Sequence, residues 1–194
     1  MATDTRAKLI EGVSKAVGRH GLRELTVAQI VKAAGLSRRT FYQYFRDRDQ
    51  AVNALYQQIT EDLVQLIKGR IEEAEDPLER LHAGIDAYLD FQQEGGRLVM
   101  EIQAEAANPG SPLHPRRERT MHRLVHIVDS HMQADLAKEL DPYVYWVLFL
   151  GMEALVIHAR QGGPFAPDTR AHVEAVMKPM FINALTGIQA VPDP

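Results

Sequence analysis

The sequence of 194 residues has no cysteine, a single tryptophan and few aromatic residues, which make up 7% of the chain. Without cysteine the protein has no disulfide bonds, no thiol nucleophile and no zinc site built from thiolates. No segment shows the two-residue alternation of apolar and polar side chains that marks a half-buried strand, so we expect no β-sheet. The sequence therefore points to an all-α protein without disulfides or thiol chemistry.

Long apolar segments are also lacking. The longest, Tyr143–Ile157, has 15 residues and is interrupted by Glu153, whereas a helix that spans a bilayer needs ~20 apolar residues. The first ten residues are polar and include Arg6 and Lys8, which does not fit a secretory signal. We expect no membrane association, a buried helix at Tyr143–Ile157, and a location in the cytoplasm.

Charge is distributed unevenly along the chain. Residues 1–50 contain ten Lys and Arg against five Asp and Glu, while the remaining residues contain 12 against 21, for a net charge of −4. A basic N-terminal segment joined to an acidic body is the asymmetry expected of a DNA-binding module attached to a second domain.

Apolar residues at three- and four-residue spacing predict helices along the whole chain, separated by Gly and Pro. The predicted helices cover residues 5–19, 26–34, 37–45, 47–70, 77–94, 97–107, 115–139, 142–161 and 168–187. We therefore predict an N-terminal three-helix domain at residues 1–48 and a larger helical bundle at residues 49–194.

Start signals mark the second, third and fourth helices. Thr26 and Gln29 have the spacing of a capping box, and Asp47 and Gln50 repeat this arrangement before the fourth helix. The tight turn at residues 35–37 reads Gly-Leu-Ser, and its serine is a favourable N-cap for the third helix. Two short helices joined by such a turn predict a helix-turn-helix.

The third predicted helix has two different faces. Phe41 and Phe45 share one face and can anchor the helix, whereas Arg39 and Gln43 point to the opposite side. Arg can pair with guanine, Gln with adenine, and a Thr methyl can touch thymine in the major groove. The candidate DNA-binding residues are Thr26, Ser37, Arg38, Arg39, Thr40, Tyr42, Gln43, Tyr44 and Arg48. The alternative is an ordinary solvated helix that carries a few arginines.

The stretch from Thr26 to Phe45, TVAQIVKAAGLSRRTFYQYF, resembles the signature of TetR-type repressors. It begins with Thr, contains an Ala-Gly-aliphatic-Ser turn and closes with an aromatic pair before Phe. The family often has His at the position of Tyr44, Lys at that of Arg48 and a small residue at that of Arg39. The resemblance covers the first quarter of the chain. It implies that the C-terminal bundle forms a homodimer and binds a small-molecule effector.

The last two predicted helices independently suggest a dimer. The helix at residues 142–161 is apolar on nearly every side, and such a helix is normally covered on every side. Its apolar residues are Tyr143, Val144, Tyr145, Trp146, Val147, Leu148, Phe149, Leu150, Met152, Leu155, Val156 and Ile157. The last helix has a stripe of Val176, Met180, Phe181, Ala184, Leu185 and Ile188. We expect these two helices to form a four-helix seam with their symmetry mates, the alternative being a core within one chain.

The bundle also carries residues suited to a largely apolar effector. Ligand cavities combine apolar surface with a few polar groups, and the candidate ligand-binding residues are Tyr88, Phe91, Met100, Gln103, His122, His126, Trp146 and Phe149. Each of them can equally be an ordinary core or surface residue.

Two further features leave alternatives open. Glu153 interrupts the apolar run, where an unpaired carboxylate is unfavourable, so it pairs with a basic group or answers a polar group of the ligand. Glu118, His122 and His126 lie four residues apart on one helix face, which suits a metal, but a polar strip is the commoner outcome. We expect no metal and no cofactor.

Together these features predict a repressor that a small molecule releases from a palindromic DNA operator. The alternatives are an activator, or a constitutive DNA-binding protein without an effector. An enzyme on a helical bundle fits less well, because the sequence has no nucleophile–base arrangement, no Gly-rich phosphate loop and no strong set of metal ligands.

Overall fold

The computed structural model describes residues 2–136, 140–160 and 165–187, and these residues form helices and no strand. The helices are α1 (Ala2–His20), α2 (Val27–Ala34), α3 (Arg38–Tyr44), α4 (Arg48–Glu73), α5 (Pro77–Ala107), α6 (His114–Leu136), α7 (Pro142–Ala159) and α8 (Pro167–Gly187). The prediction of an all-α protein is confirmed. Predicted helix ends at Glu139 and Gln161 and the stripe residue Ile188 lie outside the described residues.

The chain divides into two compact units. The first comprises Met1–Glu61 and Arg97–Arg117, and the second comprises Asp62–Gly96 and Glu118–Pro194. The first unit thus contains more than the helix-turn-helix, because the beginning of α4 and the segment from Arg97 supply part of its core. The functional boundary at residue 48 stays a prediction.

The helix starts in the first unit follow the predicted capping signals. The Oγ1 of Thr26 accepts from the amide of Gln29, whose side chain accepts from the amide of Thr26, at 3.3 and 2.7 Å. Asp47 accepts from the amide of Gln50 at 2.8 Å, while the Gln50 side chain accepts from the amide of Arg46. These bonds satisfy amides that have no partner within their own helix. Both predicted capping arrangements are confirmed.

The turn between α2 and α3 has the geometry of a helix-turn-helix. Gly35 ends α2 in the left-handed conformation, with φ of 66°, where a residue with a side chain is strained. The amide of Thr40 donates to the Oγ of Ser37 at 3.0 Å and so closes the start of α3. The Gly-Leu-Ser segment therefore acts as the sequence predicts.

The core of the second unit comes from α5, α6, α7 and α8, together with the end of α4. Tyr145, Met177 and Leu185 are each 1% exposed, and Phe181 stacks on Phe149 with ring centroids 6.3 Å apart. Burial of large apolar side chains is the main stabilising term of such a bundle.

One side of α7 is uncovered in the single chain. Tyr143 is 77% exposed and Val147 is 70% exposed, although the helix is apolar nearly all round. Its 18 residues exceed the 15-residue apolar run, so in length and composition α7 qualifies as a candidate membrane span, alone among the described residues. The expectation that this segment is too short is therefore wrong by that measure, but a core helix of a soluble protein passes the same test, so this is weak evidence for a membrane.

Helix α5 contains a break at Gly96, between the two helices that the sequence predicts at 77–94 and 97–107. Gly96 has φ of 50° and ψ of −136°, which are not helical values. Only glycine adopts such angles without strain, because it has no Cβ. The two predicted helices are present, and they meet at a corner rather than across a loop.

Candidate DNA-binding interface

Helix α3 is anchored to the first unit by its aromatic face. Phe41 is completely buried and Phe45 is 3% exposed, with their ring centroids 5.7 Å apart. The guanidinium of Arg6 on α1 lies 5.5 Å from the centre of the Phe45 ring, within the range of a cation–π contact. These contacts fix which side of α3 faces away from the core.

The opposite side of α3 is polar and exposed. Arg38, Arg39, Tyr42 and Gln43 are all exposed, and Tyr42 packs its ring edge against Phe41 with centroids 5.4 Å apart. Within the described part of the chain, Arg38 and Arg39 form no ion pair that would hold their guanidinium groups. The side chains that can read base edges therefore stand together on one accessible surface.

Several other predicted residues have local structural tasks. The Oγ of Ser37 and the Oγ1 of Thr40 lie 2.9 Å apart and share a hydrogen bond, and Thr26 caps α2. Tyr44 is half-buried on the flank of the helix. A contact between one of these groups and a phosphate would be added to its role in ordering the turn.

Arg48 is engaged with the protein itself. Its Nη1 donates to the carbonyl of Leu25 at 3.3 Å and its Nε donates to Asp49 at 2.9 Å. This ties the start of α4 to the segment before α2, so a phosphate contact by Arg48 would compete with Asp49. Next to it, the amide of Gln50 and the guanidinium of Arg46 hold the pKa of the Asp47 carboxyl below its ordinary value.

Comparison with known proteins agrees with this geometry. The family described as bacterial regulatory proteins, tetR family, matches residues 9–55, which include α2 and α3. The chain is 34% identical over 92 residues to the HTH-type transcriptional regulator BetI of Stenotrophomonas maltophilia (strain R551-3), a match that spans 47% of each chain. It is 28% identical to BetI of Paraburkholderia xenovorans (strain LB400) over 172 residues, 86% of each chain.

The chain is a TetR-type transcriptional regulator. The match to the Stenotrophomonas relative spans about half the length of that protein, whereas the Paraburkholderia relative is matched over most of its length. The fold of the whole chain is similar to that of the fatty acid degradation regulator FadR from Bacillus halodurans, with a TM-score of 0.74 and 20% identity over 95% of this chain and 96% of that one. These proteins are regulators rather than enzymes, and regulators of this family bind DNA operators and are typically dimeric.

The predicted ligand-binding residues of this regulator do not fall in one unit. Met100 and Gln103 belong to the first unit, and the other six belong to the second. In the second unit Tyr88 is buried, whereas His122 and His126 are exposed. Half-buried side chains make up the rest: Phe91, Trp146 and Phe149. The predicted set therefore does not line a single cavity within either unit.

A groove elsewhere in the second unit contains none of those residues. It has a volume of about 370 Å³ and lies between α5 and α8, where it is lined by His82, Ala171, Glu174, Ala175, Lys178, Pro179 and Ile182. Lys178 donates to Asp86 and to Glu174 at 2.9 and 2.6 Å. Its ammonium group is therefore already satisfied by two carboxylates.

The polar residues of α6 do not form a metal site. Across the described residues, no group of three His, Cys, Asp or Glu side chains could hold a metal ion. His122 instead packs against the ring of Trp146 with centroids 5.0 Å apart. The spacing of Glu118, His122 and His126 thus produces a polar strip, and Glu153 is half-buried on α7.

Sequence reasoning missed a buried polar pair in the second unit. Arg160 is 5% exposed and Gln92 is 1% exposed, and the Nη1 of Arg160 donates to the carbonyl and the Oε1 of Gln92 at 3.1 and 3.2 Å. Burial lowers the pKa of the Arg160 guanidinium, although the neighbouring Tyr88 opposes this shift. In the sequence Arg160 looks like an ordinary charged residue at the end of a helix, so no signal indicates its burial.

Proposed function

We propose that this regulator is a repressor that binds a palindromic operator as a homodimer and is released by a small-molecule effector. The observation that carries DNA binding is the exposed polar side of α3, where Arg39 and Gln43 stand free of ion pairs opposite the buried Phe41. A rigid helix with this arrangement has the size and chemistry to enter the major groove, and two copies would read two half-sites.

The uncovered sides of α7 and α8 support dimerisation through these helices. The exposed residues Tyr143, Val147 and Leu150 recur at four- and three-residue spacing on α7, and Val176 and Met180 do so on α8. Such continuous apolar surface is unusual on a monomer and marks an interaction site. A symmetric dimer would bury both stripes against their copies.

The structure changes which residues of the last helix are assigned to this seam. Phe181 and Leu185 are 2% and 1% exposed because they lie in the core of their own chain. A dimer does not need them, and a charge placed at either position would disrupt the second unit itself. The stripe predicted from the sequence thus combined a core face with an exposed face.

The effector is proposed to bind the second unit, where the half-buried rings of Trp146 and Phe149 offer apolar surface. Residues 1–48 would then serve DNA binding, and residues 49–194 would serve effector binding and dimerisation. We assign the protein to the cytoplasm, because its partner is DNA and a partner subunit accounts for the apolar side of α7.

The DNA-binding proposal is tested with duplexes that the protein selects from a random-sequence pool. Arg39→Ala should weaken binding to the selected duplex by ~1–3 kcal/mol and relax the preference at one base position of each half-site. Tyr42→Phe should weaken selected and scrambled duplexes alike, because phosphate contacts carry no base information. Arg19→Ala removes an exposed arginine of α1 and is the matched control. If Arg39→Ala and Tyr42→Phe both bind like the wild type, α3 does not read DNA through this side.

The effector proposal is tested through Trp146, which is the only tryptophan. Its fluorescence is titrated with a panel of small apolar acids, amines and aromatic compounds, with and without the selected duplex. A compound that releases the repressor must bind less tightly when DNA is present, by the same factor by which it weakens DNA binding, typically ~5–150-fold. Equal affinity in both states would favour constitutive DNA binding instead.

A further inference from the structure

The chain passes between the two units at three places, and only one of these crossings has a non-helical backbone. The crossings after Glu61 and after Arg117 lie inside α4 and α6, where the backbone is helical. The third crossing lies after Gly96, the residue that breaks α5. The direction in which the chain leaves this corner is therefore set by whatever holds the corner in place.

On the side of the second unit, the corner is held by Arg160. Its Nη1 donates to the carbonyl and side chain of Gln92, and its Nη2 donates to the carbonyl of Gly96. These backbone carbonyls belong to the last turn of a helix segment, where carbonyls have no partner within the helix and the helix dipole is negative. A buried guanidinium suits this position because it can bond several carbonyl oxygens at once.

On the side of the first unit, the next turn of α5 is held by Glu101. Its Oε1 accepts from the Nε and Nη2 of Arg97, each at 3.2 Å, and its Oε2 accepts from the amide of Leu22 at 3.1 Å. Leu22 follows Gly21 at the end of α1, so this carboxylate ties the start of the second α5 segment to the first helix of the DNA-binding unit. The crossing is thus bracketed by two clamps made of polar side chains.

We propose that Arg160 is a positioning residue for operator binding, which acts by holding the corner at Gly96. In the dimer, the direction of the chain at this crossing contributes to the separation of the two copies of α3. Loss of the clamp should therefore change the preferred spacing of half-sites without changing how one copy of α3 reads one half-site. This inference rests on the proposed function, since it presupposes a dimer that binds a two-part operator.

The test uses a duplex that the wild-type protein selects from a random-sequence pool, with the two half-sites moved apart or together by single base pairs. A duplex with one half-site is measured in parallel. We expect the wild type to prefer one spacing. Arg160→Gln should lose about tenfold in affinity at that spacing, within the usual range of coupling between sites, while half-site affinity stays unchanged. Arg160→Lys should lie between the two, because an ammonium keeps the charge and some of the bonds.

Arg170→Gln is the matched control. Arg170 also joins α8 to α5 in the second unit, through Asp90 at 2.6 Å, but it does not touch the corner. Its replacement should lower the stability and leave the spacing profile unchanged. If Arg160→Gln does not fold by circular dichroism, Glu101→Gln at the second clamp decides the question in the same assay.

Two outcomes overturn the proposal. An unchanged spacing profile in a folded clamp variant shows that the corner does not position α3. A parallel loss of affinity for the half-site and for every spacing shows that the residue acts only through stability. By contrast, a wild-type protein that selects no duplex refutes the proposed function itself, so the two failures are distinguishable.

Discussion

The helix-turn-helix and the helical body are ordered by interactions of different range. The capping bonds of α2 and α3 join residues three apart in the sequence, whereas the polar contacts of α5 with the end of α7 and with α8 join residues 68 and 92 apart. Helices of eight and seven residues are marginal on their own, so they depend on local capping. The DNA-reading element is therefore specified by a short stretch of sequence, while the body is specified by its tertiary contacts.

The comparison predicts that core damage stays within the unit that suffers it. Phe41→Ala and Phe181→Ala each remove a buried ring and should destabilise their own unit by ~3–5 kcal/mol. Phe41→Ala should abolish DNA binding but keep the dimer, whereas Phe181→Ala should weaken the dimer. Thermal unfolding, sedimentation and DNA binding measure these effects. Loss of the dimer in Phe41→Ala would show that the two units do not respond separately.

The exposed surfaces of the two regions should differ in what a new charge does. Val147→Glu places a carboxylate on the uncovered side of α7, where a dimer would bury it without a partner, at a penalty of several kcal/mol. We expect a folded monomer at micromolar concentration in sedimentation. Gln58→Glu, a charge on an exposed site of α4, is the control and should remain dimeric. A dimeric Val147→Glu protein would move the interface elsewhere.

Capping should matter more for function in the short helices than in the long ones. Thr26→Ala removes the cap of α2 and Asp141→Ala removes that of α7, and each should cost ~1 kcal/mol of stability. Only Thr26→Ala should also weaken DNA binding, because α2 supports α3. Equal effects of both variants on DNA binding would contradict the local specification of the DNA-reading element.

The smallest expected effect concerns acid. The hydrogen bond from Lys178 leads the interactions that hold the pKa of Glu174 below its ordinary value of 4.5. A lowered carboxyl pKa stabilises the folded state above the ordinary value, and this contribution disappears as the pH falls through the folded-state pKa. Urea unfolding as a function of pH should show this loss in the wild type and a smaller loss in Lys178→Met. Identical pH profiles would exclude a contribution from this pair.

The same difference in range explains what could be predicted from the sequence. Thr26, Ser37 and Asp47 announce their helices because a cap and the amide it accepts from are three residues apart. The exposed and buried sides of α3 follow from helical geometry alone once its start is known. The fold class and the DNA-reading side of the candidate site were therefore accessible before any tertiary contact was known.

The body could be predicted only as a set of helices. Helical periodicity identifies Met180 and Phe181 as apolar, but it does not say that one faces outwards and the other faces the core. The contact between Gln92 and Arg160 depends on how distant helices pack, so neither residue has a signal of its own. For the same reason the candidate ligand-binding residues were chosen by type, and the structure divides them between the two units.

The uncovered side of α7 also makes the lifetime of the protein depend on how much of it is present. If dimerisation covers this side, the folded state gains free energy from association, and its apparent melting temperature rises with protein concentration. A regulator kept at a few copies per cell would then spend part of its time as a monomer with an apolar stripe open to proteases and chaperones. The abundance of the regulator and the strength of its repression would be coupled through this one helix.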